Sequence, residues 1–230
     1  MSLADPETPP VVLPLKSAAK AKHRLEGILS SAERRRLYLA MLEDVLKAVK
    51  GCPRAGRILV VTDDAEMAER MNRAGAELLP EPGGGLNGAA QAAAQHLEAA
   101  GAKHMLVLHA DLPALAAAEL DNFIAAHLSL EVPSLSIAED MQGDGSNALL
   151  CSPPGIIPFS YGKGSCQRHI IAAEARGIQC VRCRLPGLSQ DADTPADLAA
   201  LVPQLSASSH TRALLEESGI ALRLGALEEP

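Results

Sequence analysis

The chain has 230 residues of which 47% are hydrophobic, enough for one α/β domain with a sizeable core and too apolar for a disordered chain. No run of about 18 apolar residues occurs, which excludes a membrane-spanning helix. A net charge of −7 and an aromatic content of 2% argue against a nucleic-acid or anionic-membrane surface and against stacking platforms for single strands, and leave the core to Ala, Leu, Val and Ile.

Residues 1–10 are acidic and Pro-rich, unlike a signal peptide, and read as a flexible N-terminus. Val11 to Leu15 is a short apolar run and the first expected strand, with Ser17 to Glu26 a polar, basic loop after it. Ser30 and Glu33 match a capping box for a helix from about Ala32 to Val49, whose Leu37, Met41, Leu42, Val45 and Val49 recur at helical spacing. Ile58 to Thr62 reads as a strand, and Asp63 or Asp64 caps a helix to Ala74 that Gly75 stops. Glu77 to Leu79 gives a third strand, and the Gly-rich loop from Pro80 to Asn87 feeds an Ala-rich helix to Ala100. Met105 to Ala110 is a buried strand and Ala117 to Leu128 a helix. Ser134 to Ala138 and Ala148 to Cys151 are strands around the turn Gln142 to Asn147. Ser165 to Arg176 is helical, Gln179 to Leu185 a strand, and Thr194 to Leu201 a helix. Strands alternating with helices predict a mostly parallel sheet with helices on both faces, in one domain over 11–205. The tail 206–230 carries Leu214, Leu215, Ile220, Leu222 and Leu224, a pattern compatible with a docking helix or a mobile end.

Five cysteines, an odd number without a secretory signal, fit a reduced cytoplasm. Cys180 and Cys183 form a CxxC, but no second Cys or His pair completes a zinc set.

Three carboxylates suggest chemistry. Asp191 and Asp193 face the same way on an extended segment, just before Thr194 as a helix cap and Pro195 at the first helical position. Asp111 ends the apolar run Met105 to Ala110. Oxygen ligands at a strand end and a strand-to-helix turn suit Mg²⁺, and the three together would handle phosphates. Lys16, Lys20, Lys22 and Arg24 form a cationic loop directly after the first strand, where open α/β sheets bind ligands. Arg24 offers a bidentate fork and the lysines point charges for a triphosphate. Gly83 to Asn87 matches neither a dinucleotide fingerprint nor a P-loop; Asn87 either caps the next helix or meets a sugar hydroxyl or base. The turns Gly143 to Asn147 and Tyr161 to Ser165 offer backbone N–H groups and hydroxyls as nests for a carboxylate or phosphate. Ser165 could instead cap a helix, and His169 is as compatible with a buried, hydrogen-bonded histidine as with a ligand. No nucleophile elbow is present, which favours electrostatic phosphoryl chemistry over covalent catalysis.

Six short motifs occur in order: Pro14-Leu15-Lys16 with Lys22-His23-Arg24-Leu25, Gly85-Leu86-Asn87, Ala110-Asp111-Leu112-Pro113, Gly145-Ser146-Asn147-Ala148-Leu149, Gly162-Lys163-Gly164-Ser165 with His169, and Asp191-Ala192-Asp193-Thr194-Pro195-Ala196-Asp197-Leu198. Together they resemble the 2-phospholactate guanylyltransferases of coenzyme F420 biosynthesis, within the molybdopterin-guanylyltransferase-like nucleotidyltransferases. The resemblance spans about Val11 to Val202 and implies a single Rossmann-like nucleotidyltransferase domain. It implies transfer of GMP from GTP to a small phosphorylated acid (2-phospholactate, phosphoenolpyruvate or 3-phosphoglycerate) with release of pyrophosphate. By position, Asp111, Asp191 and Asp193 would hold Mg²⁺. Lys16, Lys22, Arg24, Gly85 and Asn87 would meet the nucleotide, with Lys16, Arg24 and Asp111 acting in the transfer. Ser146, Gly162 and Ser165 would bind the acid. The chain departs from the family's usual residues at His23, Gly88 and Ser146. Alternatives are another acceptor, such as a molybdenum cofactor or sugar phosphate, or a nucleotide-binding module without turnover. The expected partners are GTP and the acid, without nucleic acid or membrane, and a homodimer is an allowed assembly.

Overall fold

A computed structural model describes residues 7–18 and 21–225. The elements follow in the order β1 (Val11–Pro14), α1 (Ser31–Gly51), β2 (Ile58–Thr62), α2 (Ala65–Arg73), β3 (Glu77–Pro80), α3 (Gly85–Ala99), β4 (Met105–Leu108), α4 (Ala117–Leu128), β5 (Ser134–Glu139), β6 (Ser146–Ser152), α5 (Ser165–Glu174), β7 (Gln179–Cys183), α6 (Pro186–Ser189), α7 (Pro195–Leu201), α8 (His210–Glu217) and α9 (Ile220–Gly225). The strands form one sheet in the order β3-β2-β1-β4-β6-β5-β7. Neighbours pair in parallel except β6, which runs against both β4 and β5. The short turn between β5 and β6 leaves no room for a crossover helix, so the pair must be antiparallel.

Helices cover both faces because the central strands bury alternate residues to opposite sides. In β1, Val11 and Leu13 pack with α1, α2 and α4, whereas Val12 packs with α3 and α5. Beneath α3 the buried residues are Ala89, Ala90, Ala93, Ala94 and Leu97, so small side chains replace aromatics and bring the helix close to the sheet. α1 begins at the expected Ser30–Glu33 capping box, and Asp64 caps α2 by accepting the Met67 N–H at 2.9 Å.

Both chain ends pack more closely than the sequence suggests. Pro9 and Pro10 are buried, and the Pro9 carbonyl accepts the Gly56 N–H at 2.9 Å, so only residues 1–6 of the expected flexible N-terminus lie outside the described residues. At the other end, α8 docks on α1 through the buried Asp44. Its carboxylate accepts the Ser209 hydroxyl at 2.7 Å and the backbone N–H groups of His210 and Thr211 at 2.7 and 2.9 Å. A carboxylate there satisfies N–H groups that the first helical turn leaves unpaired. Leu214, Leu215, Ile220 and Leu224 complete a cluster with Leu37 and Met41 of α1.

Candidate active site

In this sheet β2 and β3 lie to one side of β1, and β4 to the other. The chain therefore leaves the carboxyl ends of β1 and β4 in opposite directions and opens a crevice between them, the position where such sheets bind ligands. A cleft of about 470 Å³ occupies it. Lys16, Lys22 and Arg24 line it from the loop after β1, Gly85 from the start of α3, and Asp111 from the end of β4. Ser146, Gly162 and Ser165 line its far wall, and Asp191 and Asp193 its rim. Lys20 lies outside the described residues.

The loop after β1 is anchored by Leu25, fully buried among α1 and α7 side chains. Just before it, Lys22 has φ +55°, the one left-handed non-glycine backbone among the described residues. That conformation costs about 1–2 kcal/mol and is held by what the side chain does. The ammonium of Lys22, whose side chain is 3% exposed, lies 2.6 Å from Asp111 Oδ2 and 3.0 Å from Asp193 Oδ1. Arg24 reaches the second Asp193 oxygen at 3.4 Å. Asp193 is presented by a fixed segment: Thr194 and Asp197 form a capping box at α7, with Thr194 N–H donating to Asp197 at 2.8 Å.

Burial opposes charge on both members of the central pair, but attraction wins. The Lys22 pKa is raised because Asp111 and Asp193 outweigh its desolvation. The Asp111 carboxyl stays below its usual range because attraction to Lys22 outweighs burial. For Asp191 the pull of Lys22 is outweighed: burial, then repulsion from Asp111 and Asp193, pushes it up to about 6. Among the described residues no three His, Cys, Asp or Glu side chains stand close enough together to hold a metal unaided. The fit of a divalent cation rests on the cation already there. The Lys22 ammonium bridges two hard carboxylates, and excess negative charge loads the third. Mg²⁺ commonly takes one or two carboxylates and completes its shell with substrate phosphates and water. The donor set fits that pattern.

The far wall is a rigid network. Asp140 accepts the N–H groups of Asp144 and Gly145 at 2.9 and 2.8 Å, and a Cβ on Gly145 would stand 2.6 Å from Asp140 Oδ2. Asp144 in turn accepts the Gly164 N–H at 2.8 Å, tying the two Gly/Ser turns together. Gly164, in the left-handed region, holds the cap position of α5, so Ser165 is not a cap. Its hydroxyl instead accepts the Ser146 N–H at 3.0 Å. His169, fully buried, bonds Ser146 Oγ at 3.0 Å and the Ser160 N–H at 2.9 Å.

The expectation that Asn87 caps the next helix is corrected. Gly84 stands at the cap position of α3, so Asn87 is not its cap, and Asn87 is not among the residues that line the cleft. Its oxygen accepts the Tyr161 N–H at 2.6 Å, so it ties the glycine-rich loop to the turn carrying Gly162. Gly83, Gly84 and Gly85 all have left-handed φ, and Gly88 is packed so tightly that a Cβ would lie 1.9 Å from the Gly83 carbonyl oxygen.

The cleft residues to which the sequence assigns no role include His109, Asn147 and Tyr161. His109 Nε2, Asn147 Nδ2 and the Tyr161 hydroxyl are buried and meet no hydrogen-bonding partner among the described residues. Burial lowers the His109 pKa, so this ring is a neutral group beside the acidic pair. Asn147 sits inside a recognisable Gly-Ser-Asn motif, and that motif was its one signal. The two cysteines of the CxxC do not face each other. Their odd spacing puts Cys180 and Cys183 against opposite faces of the sheet, and burial pushes both thiols up to about 11.

The fold is that of the nucleotidyltransferases. Solved structures share the architecture: a nucleotide-diphospho-sugar transferase from Desulfovibrio desulfuricans G20 superposes with a TM-score of 0.76 at 17% identity, covering 93% of this chain and 96% of that one. A cytidylyltransferase from Leptospira borgpetersenii serovar Hardjo-bovis gives 0.57 at 11% identity, covering 94% and 95%. Residues 10–224 match the family described as "Guanylyl transferase CofC like", and the chain belongs to that family. It is a guanylyltransferase. Relatives named phosphoenolpyruvate guanylyltransferase include those of Rubrobacter xylanophilus (39% identical, covering 83% of this chain and 91% of the relative), Sphaerobacter thermophilus (36%; 83% and 90%) and Nocardia farcinica (37%; 93% and 93%).

Proposed function

We propose that the protein transfers the guanylyl group of GTP to the phosphate of a small phosphorylated carboxylic acid, with phosphoenolpyruvate the foremost acceptor, and releases pyrophosphate. The observation that carries this reading is the juxtaposition in one cleft of a cation-bridged acidic pair, Asp111 and Asp193, with a wall of hydroxyl and backbone donors at Ser146, Gly162 and Ser165. The names of the relatives support the acceptor, and membership of the family supports a role in coenzyme F420 biosynthesis.

The acid's phosphate is already an anion at neutral pH, so no side chain need remove a proton. One of its oxygens attacks the α-phosphorus of GTP. The bond from that phosphorus to the oxygen bridging toward the β-phosphate breaks, and pyrophosphate leaves with the electron pair. The barrier is repulsion between two anions. Lys16 and Arg24, with Lys22 once it is released from the aspartates, neutralise the triphosphate and hold it in line. The first turn of α3 at Gly85 offers backbone N–H groups to the nucleotide. Asn87 acts by holding the wall at Tyr161. Asp111 and Asp193, with Asp191 beside them, would hold Mg²⁺, which supplies charge neutralisation where pyrophosphate forms.

Incubation of GTP with phosphoenolpyruvate and Mg²⁺ is expected to yield, by mass spectrometry, GMP joined through a diphosphate to the enol acid. Lys16→Ala and Arg24→Ala are each expected to raise the GTP requirement more than the acid requirement. An unchanged GTP dependence in both variants would refute the assignment of this loop.

A further inference from the structure

His169 of α5 makes no direct contribution to the reaction as described above, yet it is fully buried and both its ring nitrogens are engaged on the acid side of the cleft. Nε2 lies 2.9 Å from the backbone nitrogen of Ser160. A backbone N–H can only donate, so Nε2 must be the bare, accepting nitrogen. The proton of the neutral ring then sits on Nδ1, 3.0 Å from Ser146 Oγ, and Ser146 must accept it. Burial, reinforced by Arg168, pushes His169 down to about 4, which keeps the ring neutral at physiological pH. With that lone pair used, the Ser146 hydroxyl hydrogen remains to be donated. Ser165 is constrained in the same sense, because its oxygen accepts the Ser146 N–H at 3.0 Å. The two hydroxyl oxygens stand 3.5 Å apart, too far to satisfy each other well. Both serines line the cleft.

We infer that His169 is a positioning residue that, through a fixed Nδ1–H tautomer, makes Ser146 an obligate hydrogen-bond donor toward an anionic oxygen of the acceptor. The inference rests on the acid-acceptor reading for its ligand, but not for its tautomer. Arg168 supports the arrangement from outside: its guanidinium donates to the Ser160 carbonyl at 2.8 Å and to the Lys163 carbonyl, fixing the turn whose N–H sets Nε2.

Nitrogen-resolved NMR of the ¹⁵N-labelled protein at neutral pH tests the tautomer without turnover. His169 is expected with a protonated Nδ1 and a bare Nε2; an Nε2–H tautomer or a doubly protonated ring overturns the inference. In kinetics, His169→Phe is expected to raise the KM for phosphoenolpyruvate roughly 10–100-fold, the worth of one hydrogen bond to a charged group, with the KM for GTP changed less than twofold. His169→Asn, which keeps an amide donor near Nδ1, is expected to recover part of that loss. Equal losses for both substrates, or no recovery by Asn, would make the role merely structural. Pyruvate and inorganic phosphate as competing inhibitors identify the anion: whichever one His169→Phe weakens supplies the oxygen that meets Ser146, and inhibition by both left unchanged would refute the contact. If His169→Phe fails to fold, the tautomer and the Asn variant still decide. A correct tautomer in a protein that transfers to no acid would sink the acceptor reading instead.

Discussion

Replacing Lys22 by Met removes the cation between Asp111 and Asp193 while keeping a side chain of similar length. In the wild type the Lys22 side chain is 3% exposed, and its ammonium sits 2.6 Å from the carboxylate of Asp111, a side chain itself only 22% exposed. Removing one partner of a fully buried ion pair costs about 3–5 kcal/mol, because the other charge is left uncompensated. Here Asp193 is 41% exposed, so water already screens the second contact. The expected loss is therefore about 2–3 kcal/mol, or roughly 4–12 °C in Tm for a chain of this size. It should appear in chelator and shrink in excess Mg²⁺, since a divalent cation between the carboxylates replaces the missing charge. The wild type should gain less from Mg²⁺, because there the metal must first displace the ammonium. Thermal unfolding of both proteins with chelator and with Mg²⁺ measures this directly. A loss independent of metal, or none in chelator, would refute the view that Lys22 occupies the place of a metal ion.

Other consequences follow from the same electrostatics and packing. Asp191→Asn should raise Tm at pH 7.5 while impairing turnover. The native carboxyl is pushed up to about 6, so Asp191 costs stability above that pH, and the variant's gain should vanish below about pH 4, where the wild-type group is protonated in both states; a destabilised variant at pH 7.5 would contradict this. The histidines act in the opposite direction. His127 and His169 are pushed down to about 4 by burial, so their contribution is fully present above about pH 6.5 and lost as pH falls toward 4. Urea midpoints across that window should fall, and His127→Gln should flatten the slope; an unchanged slope removes His127 from the account. Asp44→Ala leaves the Ser209 hydroxyl and two N–H groups of α8 without their acceptor, at about 1–3 kcal/mol, and limited proteolysis should then cut before α8 first. An unchanged cleavage pattern would mean that the apolar cluster alone docks the tail.

Local signals in the sequence carried much of this structure. β2 and α4 have the expected bounds because each apolar pattern ends at residues that break it, and the capping box at Ser30 and the Thr194–Pro195 cap marked two helix starts. The long-range features were not legible. Strand periodicity does not give direction, so β6 reads like its parallel neighbours until the hairpin with β5 is seen. The single turn of α6 is too short for a period to register. In the site, the basic loop and the aspartates could be read separately. That Lys22 bridges them could not, since the pairings span 89 and 171 residues. The local sequence leaves Asn87 open between capping an Ala-rich helix and meeting a sugar hydroxyl or base, whereas the partner of its side chain is 74 residues away. For His169 the fold supplied what the motif lacked: the Ser160 N–H that decides which ring nitrogen is bare.

The most direct test of the central claim is pyrophosphate release from GTP, with phosphoenolpyruvate, 2-phospholactate and 3-phosphoglycerate supplied one at a time, in Mg²⁺ and in chelator. The account predicts release that requires both the acid and the divalent ion, is fastest with phosphoenolpyruvate, and is reduced by about a hundredfold or more in Asp193→Asn. Release with none of the three acids from a protein that still binds GTP, or undiminished release in chelator, would contradict it.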